Sequence, residues 1–339
     1  MTDIDLNAYR ASLWPMPIRT KAQGKGMRRL GVELEFSGLE IERIAELTQE
    51  VLGGEIDKVS NYEFFVRGTP HGDFGIELDY AYLKKLGRER EIAVEVDDLD
   101  NLAESLLALL AKQVVPYEIV SPPMAMADLW QMDTLFQRLR REGAKGTNHA
   151  VAYAFGLHLN PEMPDLQADT ILAYLRAFLC LFEWLRERSK VDLSRRVTPY
   201  IDPFEKDYIR LVVGEDYAPD LDQLIDDYLK HNPTRNRALD MLPLFCHIDE
   251  ERLRAVVKDD RVKPRPALHY RLPNCQIDEA DWGLIRAWRD WLQIEALASD
   301  PRRLDAVCRG YRKYLQNPTS GLFKDWSKTC TRWLLPELL

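Results

Sequence analysis

Between Leu30 and Phe36 the sequence reads Leu-Gly-Val-Glu-Leu-Glu-Phe, an unbroken alternation of apolar residues with glycine or glutamate. A period of two belongs to a β-strand, which turns successive side chains to opposite faces. Leu30, Val32, Leu34 and Phe36 then share one face, and Gly31, Glu33 and Glu35 share the other. Such a strand needs an apolar cover on one side only. A doubly wound parallel sheet, buried on both faces, would show continuous apolar runs instead. The pattern therefore points to an antiparallel sheet with helices against one face.

The alternation recurs along the chain. Tyr62, Phe64 and Val66 alternate with polar residues, Gly68 to Gly72 reads as a turn, and Phe74, Ile76, Leu78 and Tyr80 alternate with Gly75, Glu77 and Asp79. This predicts a hairpin. Further short strands are expected at 114–120, stopped by Ser121-Pro122-Pro123, at 150–160, and at 268–272, stopped by Pro273-Asn274. Helical spacing predicts helices over 39–52, 99–113, 126–142 and 165–189. Ser37 is placed to cap the first of these, and Gly53-Gly54 to end it. Residues 190–263 read as loops and short helices. From 279 onward the chain is helical, with Trp282, Trp288, Trp291, Trp326 and Trp333 as packing anchors. The expected fold class is α+β: a curved, mainly antiparallel sheet with one polar face, helices covering the apolar face, and a helical C-terminal part.

The strand segments offer ligand-type residues on their polar sides. Glu33 and Glu35 come from the first strand. Asp73, Glu77 and Asp79 come from the hairpin. Glu118 precedes the Ser-Pro-Pro stop, His158 and Asn160 share a face, and so do His269 and Arg271. Two neighbouring carboxylates repel and raise each other's pKa unless a cation lies between them. A solvated sheet edge would tolerate a lone Glu-x-Glu cheaply. If the segments form one sheet, however, that face becomes a trough lined with carboxylates, histidine, asparagine and arginine. Such a trough suits magnesium, which binds carboxylate and phosphate oxygens. It also suits phosphate held by arginine. Neither a Gly-x-x-x-x-Gly-Lys-[Ser/Thr] nor a Gly-x-Gly-x-x-Gly motif is present, so phosphate would rest on metal and arginine rather than on a glycine-rich loop.

Composition narrows the classes. The formal charge of -9, from 55 acids against 46 bases, argues against general binding to nucleic acid. The five cysteines form no Cys-x-x-Cys pair, so neither a disulfide framework nor a thiolate zinc site is expected, and a reducing cytoplasm is the simplest setting. No apolar run reaches the roughly 18 residues of a membrane span, and the N-terminus, with Asp3 and Asp5, does not read as a signal peptide. Asp97-Asp98-Leu99-Asp100 reads as a helix N-terminus. His71, His149, His231 and His247 read as ordinary loop or strand-end residues, with His149 also open as a ligand or base.

Four segments, in this order, resemble the amidoligase family within the carboxylate–amine ligase superfamily of glutamine synthetase and γ-glutamylcysteine ligase. They are Gly31-Val32-Glu33-Leu34-Glu35-Phe36, Glu118-Ile119-Val120-Ser121-Pro122-Pro123, Gly156-Leu157-His158-Leu159-Asn160 and Tyr270-Arg271-Leu272-Pro273-Asn274-Cys275. The resemblance implies a glutamine synthetase-like sheet with a metal-lined face. It makes Glu33, Glu35, Glu118 and His158 metal ligands. It gives catalytic roles to Arg271, His158 and Asp73, and an ATP- or substrate-binding role to Arg271, His269 and Asn160. Asn160 stands where a second His is common, Phe74-Gly75 replaces Gly-Ser, and His269 stands where Glu is frequent. Arg235 and Arg237, in Asn232-Pro233-Thr234-Arg235-Asn236-Arg237, either hold a substrate carboxylate or phosphate or pair with Asp240 or Glu250 in a surface loop.

The implied domains are an N-terminal arm at 1–27, a single catalytic domain at 28–320 and a C-terminal helix at 321–339 packed on it. The implied activity is ATP- and Mg2+-dependent ligation of a carboxylate, on an amino acid or peptide, to an amine through an acyl phosphate. No membrane or nucleic-acid partner is expected, and a homo-oligomer is left open. Two alternatives stand: a degenerate ligase fold used as a binding module, and a metal-dependent hydrolase that turns over without ATP.

Overall fold

The computed structural model describes residues 6–24, 26–78, 116–147, 155–189, 203–317 and 325–339. Nine strands lie among the described residues: β1 (Arg29–Phe36), β2 (Glu55–Lys58), β3 (Glu63–Thr69), β4 (Gly72–Leu78), β5 (Tyr117–Val120), β6 (Met124–Ala125), β7 (Leu157–Pro161), β8 (Leu239–Asp240) and β9 (His269–Tyr270). They form one open sheet in the order β2-β3-β4-β5-β1-β7-β9-β8, with β6 beside the start of β1. Every described pairing is antiparallel. With 11 α-helices among the described residues, the fold is α+β.

β1 is an inner strand, paired with β5 on one side and β7 on the other. Its alternating residues Leu30, Val32, Leu34 and Phe36 are fully buried, and so are Ile119, Leu157 and Leu159 from the two neighbours. At β9 the cover is aromatic. Tyr270 meets Phe178 edge-on at 6.1 Å and Trp291 at 5.3 Å, from the helices Ala168–Arg188 and Leu284–Ala298. Burying each large apolar side chain contributes about 1.5–3 kcal/mol.

The hairpin β3–β4 has the expected alternation, with Phe64 opposite Ile76. Gly68 and Gly72 take φ of 69° and 117° at its turn, a region that favours glycine. The helix Ile41–Leu52 ends at Gly53, whose N–H donates to the Gln49 carbonyl. Ser37 does not cap it. Ser37 is still held in extended pairing with Lys145, and Glu40 takes the N-cap place.

Several elements differ from expectation. The segment expected as a strand at 268–272 pairs only over His269–Tyr270, and β2, β6 and β8 were not foreseen. β6 and β8 have two residues each and β2 has one apolar residue among its four, so none shows a readable period and their neighbours define them. A helix, Leu6–Leu13, precedes a buried Trp14, and Trp288 Nε1 donates to the Pro15 carbonyl at 2.7 Å. The helix expected at 99–113, Asp79 and Tyr80, the acidic run at 97–100, His149 and the first residues of the strand expected from 150 lie outside the described residues.

One buried ion pair ties the start of β1 to the C-terminal helices. Arg28 is fully buried and bidentate to Glu295 at 2.9 and 2.8 Å. It also donates to the carbonyls of Arg19 and Glu162. Tyr174 and Trp291 donate to the same Glu295 carboxylate. The five cysteines are buried and free. Among the described residues no helix is long and apolar enough to cross a membrane.

Candidate functional site

Strand register assembles the site on the polar face. Glu35 of β1 lies opposite Glu118 of β5, and Glu118 in turn lies opposite Glu77 of β4. On the other flank Glu33 lies opposite His158 of β7, and Gly31 opposite Asn160. β9 and β8 then bring His269 and Asp240 together.

Glu33 is the centre of these contacts. Asn160 Nδ2 donates to its Oε1 at 2.9 Å, and His158 Nδ1 lies 3.1 Å from its Oε2. His269 Nε2 lies 3.5 Å from the same oxygen, and Arg265 Nη1 lies 3.7 Å from Oε1. Glu35 Oε2 accepts from the Gly156 N–H at 2.7 Å, and its Oε1 lies 3.8 Å from His158 Nε2. Two groups result, Glu33–His158–His269 and Glu35–Glu118–His158, each with ligand-type atoms within 4.8 Å of one another.

Burial and charge pull in opposite directions here. Burial alone would raise the Glu33 carboxyl, but His269 and then His158 hold it well below the usual carboxylate range. Burial and then the Arg271 guanidinium push the His269 imidazole down to about 3, so that ring is neutral at pH 7. Burial pushes Asp240 up to about 6, against the pull of Arg271, Arg235 and Arg265. Burial, and then Arg271, lowers Arg235. Three arginines therefore crowd the end of the face nearest Asp240. Four buried atoms there make no hydrogen bond: Asn160 Oδ1, His269 Nε2, Asp240 Oδ2 and Arg271 Nε.

The structure brings together Glu33, Glu35, Glu118, His158, Asn160, His269 and Arg271, with Arg235 nearby. Two predicted residues are not brought to this cluster. Asp73 is exposed, bonds Arg67 at 3.1 Å and accepts from the Gly68 N–H, in a separate group with Asp57 on the outer strands. Arg237 spends its donors on Asn232 Oδ1 and on the Pro203 and His231 carbonyls, and lies over the Phe204 ring. Its guanidinium therefore holds its own loop. Asp240 and Arg265 were missed as site residues. Asp240 lies in a two-residue strand with no periodic signal. The only hint for Arg265 was its place between Pro264 and Pro266, which favour extended chain.

A family model described as "putative amidoligase enzyme" matches residues 26–293. The chain belongs to the amidoligase family. A search of curated proteins found no match. The matched span of this amidoligase-family chain contains all nine strands and both ligand groups. No ion is present, and the two groups of ligand-type residues would fit magnesium unequally. Glu35 and Glu118 offer carboxylate oxygens from facing strands, the donors magnesium prefers. Glu33–His158–His269 offers one carboxylate and two imidazoles, a poor match to an oxygen-seeking ion.

Proposed function

We propose that this chain is an ATP-dependent carboxylate–amine ligase with a glutamine synthetase-like arrangement. One observation carries the reading: a carboxylate-rich, cation-ready centre adjoins a cluster of three arginines on one sheet face. ATP needs both, because its phosphates carry several negative charges that cations and guanidinium groups offset.

Magnesium, held by Glu35 and Glu118 with His158, would neutralise charge on the phosphate oxygens. Arg271, aided by Arg235 and Arg265, binds and orients the phosphate chain. The substrate carboxylate attacks the γ-phosphorus, the bond to ADP breaks, and an acyl phosphate forms. An amine then attacks the acyl carbon, inorganic phosphate leaves, and the nitrogen loses a proton to give the amide. The contribution of the protein is positioning and electrostatics.

The test is a screen of amino acids and peptides for ADP release with ATP and Mg2+, followed by product mass. An ATP-dependent amide product is the expected result. Metal-dependent ATP binding without turnover would favour a binding module. Cleavage of a substrate without ATP would favour the hydrolase.

A further inference from the structure

Away from the polar face, two thiols meet between packed helices. Cys180 lies in the helix Ala168–Arg188 and Cys308 in Pro301–Gln316, and their Sγ atoms stand 3.7 Å apart. The contact joins positions 128 apart in sequence. Cys180 is 0% exposed and Cys308 4%. Cys330 and Cys246 turn their thiols elsewhere, to the Ser327 carbonyl and the Glu250 carboxylate.

Buried thiols pack as small apolar groups, and packing alone would account for such a pair. Packing does not account for the charges beside it. Arg176 stands four residues before Cys180 and Arg312 four residues after Cys308, so each shares a helix face with its cysteine. Arg176 is fixed by the carbonyls of Val212, Gly214 and Tyr217, and Arg312 by that of Val213. The hydrogen bond from Cys180, and then these two guanidinium groups, hold the Cys308 thiol below its ordinary value against burial, whereas burial pushes Cys180 up. Cys308 is therefore the sulfur that ionises, and a thiolate beside arginine is the reactive form.

We propose that Cys180 and Cys308 are a redox pair that closes to a disulfide on meeting a peroxide, clamping the helix Pro301–Gln316 to Ala168–Arg188. The Cys308 thiolate attacks one peroxide oxygen, the O–O bond breaks, and the hydroxide that leaves takes up the proton the thiol released. Cys180 then attacks the S–OH sulfur. An S–S bond forms, the S–O bond breaks, and the hydroxide leaves as water with the Cys180 proton. Two thiols lose two electrons and two protons, and hydrogen peroxide becomes two waters. A dithiol reverses the change by exchange. The clamped helix also carries Phe178, which packs on Tyr270 of β9, so the bond ties the outer helix to the layer that covers the sheet beneath the candidate site. The argument needs neither metal nor nucleotide.

The full chain, reduced and desalted, is treated with hydrogen peroxide, its remaining thiols are blocked, and it is digested without reductant for mass mapping. The expected result is a Cys180–Cys308 peptide pair two hydrogens lighter than the sum of its parts, with Cys246, Cys275 and Cys330 blocked as thiols. Closing so long a loop should shift the urea midpoint upward, and dithiothreitol should return it to the reduced value. Cys308→Ser should lose that shift and Cys330→Ser should keep it. If Cys308→Ser does not fold, the wild-type peptide map and its reversal by dithiothreitol decide. Cys180 and Cys308 both recovered as blocked thiols, a link from either to Cys330, a link formed only in urea, or a midpoint that peroxide does not raise overturns the proposal.

Discussion

Glu33 on β1 and His158 on β7 face each other across an antiparallel register, with the imidazole Nδ1 3.1 Å from the carboxylate Oε2. The pair sits where the two ligand groups meet, because His158 belongs to both. Local alternation made Glu33 polar-facing, and strand pairing supplied its partner.

Glu33→Gln keeps the shape of the side chain and removes its charge. Metal-dependent ADP release should fall by more than about 100-fold, beyond the range typical of groups that only orient a ligand. Folding should persist with some loss of stability, since the surrounding groups favour the charged carboxylate over a neutral side chain. Far-UV circular dichroism checks the second point. Turnover within a few-fold of wild type would remove Glu33 from the working site.

Arg271 and Arg237 should separate cleanly. Arg271→Lys loses the planar fork and should raise the KM for ATP at least about tenfold, with little change in stability. Arg237→Ala leaves the Pro203 and His231 carbonyls and Asn232 without their donor. It should cost about 1–3 kcal/mol of stability and leave the KM for ATP unchanged. Urea melts and steady-state kinetics on both variants decide this. The opposite pattern would restore Arg237 to the site.

Arg28→Met leaves Glu295 buried without its charged partner. Breaking one side of a buried pair costs about 3–5 kcal/mol. A double change, Arg28→Met with Glu295→Leu, should recover part of that loss. Urea midpoints for the single and double variants measure it. A single variant as stable as wild type would show that the pair contributes nothing net.

Burial pushes the Asp290 carboxyl up to about 6, and Arg188, at 2.7 Å, pulls it only part of the way back. In the unfolded chain it titrates near 4. Between these values the folded chain holds more protons than the unfolded one, so this group makes stability fall as pH rises from about 4 to about 6. Two pKa units correspond to roughly 3 kcal/mol, fully lost above pH 6. Asp290→Asn should remove that slope from denaturation midpoints measured across pH 4 to 7. A slope unchanged in the variant would mean that Asp290 is ionised throughout.

What the sequence determined by itself is whatever depends on neighbours within a few residues. The alternation at 30–36 put Glu33 and Glu35 opposite Leu34 and Phe36, because side chains on a strand alternate whatever the rest of the chain does. The hairpin β3–β4 and the helices Ile41–Leu52 and Ala168–Arg188 were legible for the same reason, since each is long enough to show its period. Tertiary structure decided the rest. It placed Glu118 opposite Glu35 and His158 opposite Glu33, brought Asp240 and Arg265 in from segments without periodicity, and turned Arg237 into its own loop and Asp73 towards Arg67. Register between strands far apart in sequence is set by packing of the whole sheet, and no local pattern encodes which polar side chains that packing will bring within bonding distance.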